Sequence, residues 1–159
     1  PDQWIRHLEP TQTFYSYVMN NYWETNYKAS QEGRVLFRYA IMPHQQFDAA
    51  AAARFGIEQS QPLVAVPVDP DSPVPQSLFR VEPKSVLVSS LKPSEDGKAW
   101  IIRLFNAAGT EARATITWGA PRPVSVSVSS PFEEKGPDLS APIDLPAQGI
   151  ITLRAELPE

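Results

Sequence analysis

A chain of 159 residues can hold one domain of ordinary size or two small ones, and 42% hydrophobic with 20% charged residues describes a folded globular protein rather than a disordered one. The net charge of −4 is thinly spread, −3 over residues 1–76 and −1 over residues 77–159, so there is no basic stripe to neutralise phosphates and no nucleic acid is expected as a partner. No apolar run approaches the roughly 18 residues of a membrane span, so no membrane partner is expected either. The absence of cysteine rules out disulfides and thiolate metal sites. With no visible signal peptide, it favours a cytoplasmic location. Seventeen prolines against seven glycines, scattered between apolar runs, predict an all-β chain, because helix interiors exclude proline.

Residues 1–12 hold Trp4, Ile5 and Leu8 ahead of Pro10, compatible with a helical turn or an extended lead-in. Residues 13–19 are aromatic and β-branched and predict a strand. The stretch from Asn20 to Gly33 then packs Tyr22, Trp23 and Tyr27 among Asn20, Asn21 and Asn26, longer than the usual connection of about 4–6 residues. In residues 34–42, Val35, Phe37, Tyr39 and Ile41 share one face, and Leu36, Arg38, Ala40 and Met42 the other. Apolar groups on both faces predict a strand covered on each side. One short helix is expected near residues 48–55, with Asp48 capping the alanine run Ala49 to Ala53 and Gly56 closing it. Phe47 and Phe55 would tack it to a sheet. Residues 62–68 read as a further strand, bounded by Pro62 and Pro67.

Residues 69–77, with three prolines, form the best boundary in the chain. All five tyrosines precede it. Beyond it, short strands are expected at Ser85 to Leu91, Ala99 to Phe105, Glu111 to Trp118, Val124 to Val128, Pro142 to Leu145 and Ile150 to Leu157. Turns at 93–97 and 106–109 separate the first three. This spacing predicts an antiparallel β-sandwich. Residues 1–70 look insufficient for a domain of their own, with about three strands and many large aromatics to bury.

Chemistry-bearing residues are few. His7 and His44 are the two histidines, and neither belongs to a zinc-ligand spacing. No nucleophile elbow or phosphate-binding loop occurs. Nothing in their spacing brings Glu24, Glu32 and Asp48 together as a glycosidase pair, and Glu95-Asp96 and Glu133-Glu134 read as solvated loop charges. Aromatic faces can stack on sugar C–H groups and asparagine amides can bond hydroxyls. That makes Asn20, Asn21, Trp23 and Asn26 candidate substrate-binding residues, although the same side chains are ordinary material for turns and cores. Both readings stay open, and no catalytic or metal residue is assigned.

The run Val18-Met19-Asn20-Asn21-Tyr22-Trp23-Glu24-Thr25-Asn26-Tyr27, with Gln31-Glu32-Gly33 and Phe37-Arg38-Tyr39, resembles the C-terminal region of glycoside hydrolase family 38, the α-mannosidases. The segment Lys92-Pro93-Ser94-Glu95-Asp96-Gly97 and Arg103-Leu104-Phe105-Asn106 is similar to the small terminal sandwich of bacterial members, so the resemblance covers roughly residues 12–157. It implies that residues 1–68 are the C-terminal part of a central, mutarotase-like β-sandwich, incomplete here. It further implies that 69–77 is a linker and 78–159 a small terminal β-sandwich. The family's N-terminal catalytic domain carries a divalent metal, usually zinc, and an aspartate nucleophile. Neither motif occurs in this chain, so the resemblance implies no catalytic residue and no cofactor here. The expected partners are the catalytic domain of the same polypeptide and, in the parent, an α-mannoside. The alternative is an autonomous carbohydrate-binding module in which Tyr22, Trp23 and Tyr27 form the stacking platform.

Overall fold

The computed structural model describes residues 6–158 apart from 8, 20–27, 29, 62, 70 and 72–75. It divides into two compact units, Pro1–Ile41 and Met42–Glu159. In the first, residues 13–19 and 30–41 carry no strand ladder. The strands expected at 13–19, 34–42 and 62–68 are therefore corrected: among the described residues these segments pair with nothing. Alternating apolar residues favour an extended backbone, but a strand also needs a neighbouring edge to take its amides and carbonyls. Within the first unit, Ser16 Oγ and Tyr39 Oη lie 2.8 Å apart, linking the two extended segments side chain to side chain.

The second unit opens with helix α1, Ala49–Ser60. Asp48 caps it as expected, its Oδ1 accepting from the Ala50 and Ala51 amides at 2.9 and 3.0 Å. Its end is corrected. The helix passes through Gly56, which does not take the left-handed φ of a capping glycine, and stops after half-buried Ile57 supplies its carbonyl to the Gln61 amide. Phe55 is half-buried, whereas Phe47 stays exposed.

The remaining elements form the expected antiparallel sandwich. Strands β1 (Phe79–Glu82), β4 (Ala112–Trp118) and β7 (Ile143–Leu145) make a three-stranded sheet in the order β1-β4-β7. Strands β2 (Val86–Pro93), β3 (Ala99–Asn106), β5 (Ser125–Ser129), β6 (Lys135–Asp138) and β8 (Ile150–Glu156) make a five-stranded sheet in the order β2-β3-β8-β5-β6. The alternation of each strand supplies the core: Ala112, Ala114, Ile143 and Leu145 of the small sheet meet Val86, Ile102, Leu104, Leu153 and Ala155 of the large one. Phe79 and Trp118, paired in register, close one side with ring centroids 5.4 Å apart. Every sheet edge is blunted. A bulge at Ser89 interrupts β2, β6 is an exposed Lys-Gly-Pro-Asp, and β1 and β7 have four and three residues. Gly119 passes so close to the backbone of Ser77 that a Cβ there would meet its carbonyl oxygen at 2.1 Å.

The expected turn at Asn106 is a buried clasp. Asn106 Nδ2 donates to the carbonyls of Thr110 at 2.8 Å and Pro146 at 2.9 Å, while its Oδ1 accepts from the Ala108 amide at 3.1 Å. One side chain thus ties the β3–β4 loop to the end of β7. Asn106→Ala removes these bonds from a wholly buried position, and is expected to lower the unfolding free energy by about 1–3 kcal/mol in urea denaturation. A loss below about 0.5 kcal/mol, the size of an ordinary surface change, would refute the clasp.

Candidate functional site

The residues singled out for sugar binding, Asn20, Asn21, Trp23 and Asn26, lie outside the described residues, as do Tyr22, Glu24 and Tyr27. Of the other candidates, Asp48 is engaged in its helix cap. Glu32 accepts from Lys28 Nζ on the surface of the first unit. His7 and His44 are exposed, the latter with Nδ1 3.1 Å from the Gln46 carbonyl oxygen.

The structure does bring together two of the four residues that read as solvated loop charges: Asp96 and Glu133 are engaged, which corrects that reading for them, whereas Glu95 and Glu134 are exposed as expected. Arg154, in the middle of β8, keeps 8% of its surface exposed. Its Nη2 donates to Asp96 Oδ2 at 2.6 Å and its Nε to Glu156 Oε1 at 2.7 Å. Asp96 sits in the β2–β3 turn, where Gly97 takes a φ of 71°. Its Oδ1 also accepts from Ser94 Oγ at 2.6 Å and the Lys98 amide at 3.0 Å. Glu133, in the β5–β6 turn, accepts from Lys92 Nζ and, at 2.8 Å, from the Glu95 amide. Its side chain is only 10% exposed. Two turns distant in sequence are thereby fastened into one body at the end of the sheet.

The electrostatics follow from these donors. Hydrogen bonds from Ser94, then from the Lys98 amide and Arg154, hold the Asp96 carboxyl far below the usual carboxylate range. Lys92 and the Glu95 amide lower Glu133 in the same sense. Glu156 and Asp96 raise Arg154, against the burial that opposes its charge. Glu133 also takes a left-handed φ of 67°, a strained backbone for a residue with a Cβ, which persists because its carboxylate is tied down. Ser130 completes the turn, its Oγ accepting from the Phe132 and Glu134 amides at 3.2 Å each. Phe132 is left at the tip, 86% exposed. On β5, in register with Arg154, the buried Ser127 hydroxyl has no hydrogen-bond partner among the described residues.

A second feature lies where the β1–β2 and β3–β4 loops meet the start of α1. A groove of about 620 Å³ is lined there by Phe47, Ala49, Ala50, Arg54, Lys84 and Ala108, among others. The Arg54 guanidinium donates to the Lys84 carbonyl. Among the described residues no group of three or more His, Cys, Asp or Glu side chains is placed to hold a metal ion.

The carboxylate shifts set an acid dependence. Folded Asp96 and Glu133 titrate below their unfolded values of about 3.9 and 4.3, so the unfolded chain binds more protons as the pH falls. Their stabilisation is fully present above those unfolded values and is lost as the pH drops through the folded ones. The urea midpoint is therefore expected to hold from neutral pH to about 5 and to decline below about 4. Asp96→Asn should make that decline shallower. An unchanged acid limb in this variant would show that the turn network does not govern it.

Comparison with known proteins bears on the sandwich. No curated protein matches the chain. The family model described as "Glycosyl hydrolases family 38 C-terminal beta sandwich domain" matches residues 85–155, from the start of β2 into β8, and so includes Asp96, Glu133 and Arg154. The relationship is carried by this unit: residues 85–155 of the chain match the C-terminal β-sandwich domain of glycosyl hydrolase family 38.

Proposed function

We propose that this chain is the non-catalytic C-terminal region of a retaining, metal-dependent α-mannosidase, supporting a catalytic domain of the same polypeptide that holds the zinc or other divalent ion. The observation that carries this reading is the match of the sandwich to a family 38 C-terminal domain. The first unit adds to it. Phe14, Tyr15, Tyr17, Leu36, Tyr39 and Ile41 are all more than 60% exposed, on two extended segments with no ladder partner among the described residues. Burying one such side chain stabilises by about 1.5–3 kcal/mol. A monomer seldom leaves so many apolar groups of one segment in water, so this surface fits a seat beneath further protein.

In this role the sandwich supplies rigidity, through blunted edges and pinned turns, while hydrolysis belongs to residues elsewhere. The chain by itself is expected to release no phenol from an aryl α-mannoside, with or without added zinc. Turnover by the purified chain would overturn the reading. Titration with mannobiose separates the module alternative: saturable tryptophan quenching that disappears in Trp23→Ala would favour an autonomous carbohydrate-binding role.

A further inference from the structure

The two features of the sandwich lie at its opposite ends. In the β2–β3 ladder, Val86 pairs with Asn106 at one end and Pro93 with Trp100 at the other. Lys84, Ser85, Ala108 and Gly109 of the groove flank the first end. Glu95, whose amide holds Glu133, lies past the second. Eight strand residues separate the ends by about 25 Å, so Phe132 has no access to the groove of its own molecule.

The two ends carry opposite charges, and one offers a projecting ring and the other a groove. The β5–β6 turn presents an aromatic ring on a backbone fixed by Ser130 and by the Glu133 carboxylate, and rigid aromatic tips lose little entropy on docking. Glu134 lies two residues on in the same turn and Glu95, whose amide bonds Glu133, in the neighbouring one, and neither forms an ion pair among the described residues. The groove is floored by alanines, and its volume exceeds that of a phenyl ring. Its cations, Arg54 and Lys84, likewise form no ion pair among the described residues. The one carboxylate in it, Asp48, faces the helix amides.

We propose that the sandwich self-associates head to tail, with Phe132 of one copy seated in the Ala50–Arg54–Lys84 groove of a second copy and Glu95 and Glu134 facing the two cations. The contact is heterologous. Each molecule keeps one free knob and one free groove, so the assembly grows as a chain or closes as a ring rather than stopping at a two-fold dimer. The interface is small and therefore weak, and its charged rim makes it salt-sensitive.

Sedimentation of the full chain up to millimolar concentration tests this. The weight-average mass is expected to rise with concentration and to fall on adding salt. Phe132→Ala, at a site that is mostly exposed and outside the core, should move half-association to at least about tenfold higher concentration. Ala50→Trp, which fills the groove, should do the same, and Arg54→Glu with Lys84→Glu replaces it if the tryptophan disturbs α1. A mixture of Phe132→Ala with the groove variant retains one intact knob and one intact groove, and should form a one-to-one pair that grows no further. A wild-type mass that stays monomeric would overturn the proposal. So would association that survives Phe132→Ala, which assigns it to the exposed aromatics of the first unit. A mixture that remains monomeric, or a Phe132-dependent response to methyl α-mannoside without a change in mass, would do so equally.

Discussion

Arg154 is a permanent charge placed on a central strand with almost no access to water, and much of one end of the sandwich is arranged around that fact. A guanidinium withdrawn from solvent is tolerable only when its donors meet carboxylates at good geometry. Glu156 lies on the same strand two residues on, which puts it on the same face. Asp96 comes from a turn that must be held at the right height, and Ser94 and the Lys98 amide hold it. Once that turn is fixed, the Glu95 amide has a fixed direction, and Glu133 meets it from the neighbouring turn. The left-handed backbone at Glu133 is thus a consequence that traces back to one buried cation. At the other end of the sheet Gln148 shows the same pattern, with a φ of 57° and its Nε2 donating to the carbonyls of Ala107 and Ala108 at 3.1 Å. Both ends of this sandwich secure a strained non-glycine residue through its own side chain.

The parts of the fold legible in the sequence are those written in period two. Ala112, Ala114, Ile116 and Trp118 share a face in the structure as their spacing predicts, and six expected strands match β2, β3, β4, β5, β7 and β8 to within a residue or two. Strand β6 escaped because Lys135-Gly136-Pro137-Asp138 has the composition of a loop, and β1 because four residues carry too little pattern. The ion-paired end of the sandwich is illegible for a different reason. Asp96 looks like any acidic turn residue until Arg154 meets it from 58 positions away, and Glu133 until the Glu95 amide meets it from 38, and no local spacing encodes either meeting. Asn106 is similar: an asparagine before a glycine-containing loop reads as a turn, yet it is wholly buried because Pro146 brings a carbonyl to it from 40 positions on. The serines of β5 are a further case, since Ser127 and Ser129, alternating with valines, have the composition of a polar face and are covered.

The first unit marks where sequence and structure diverge most. Its segments are rich in aromatic and β-branched residues and have no ladder among the described residues. Propensity of that kind measures fit to a pleated, half-buried surface, and a surface of that kind requires a neighbour. The blunted edges of the sandwich give the contrast: bulge and proline appear on strands that need no further partner, and are missing from residues 34–42, which carry apolar side chains at alternate positions of both parities.

The bond from the Glu95 amide to Glu133 has a kinetic meaning as well. An amide in an exposed turn ordinarily trades its hydrogen with solvent almost as fast as in an unfolded peptide, because nothing local shields it. Here the acceptor is a side chain 38 residues away, on a different hairpin. Slow deuterium uptake at Glu95 would therefore act as a clock for the opening of the β5–β6 turn rather than of the turn in which Glu95 resides, making a single resonance a reporter on whether the two hairpins breathe together or apart.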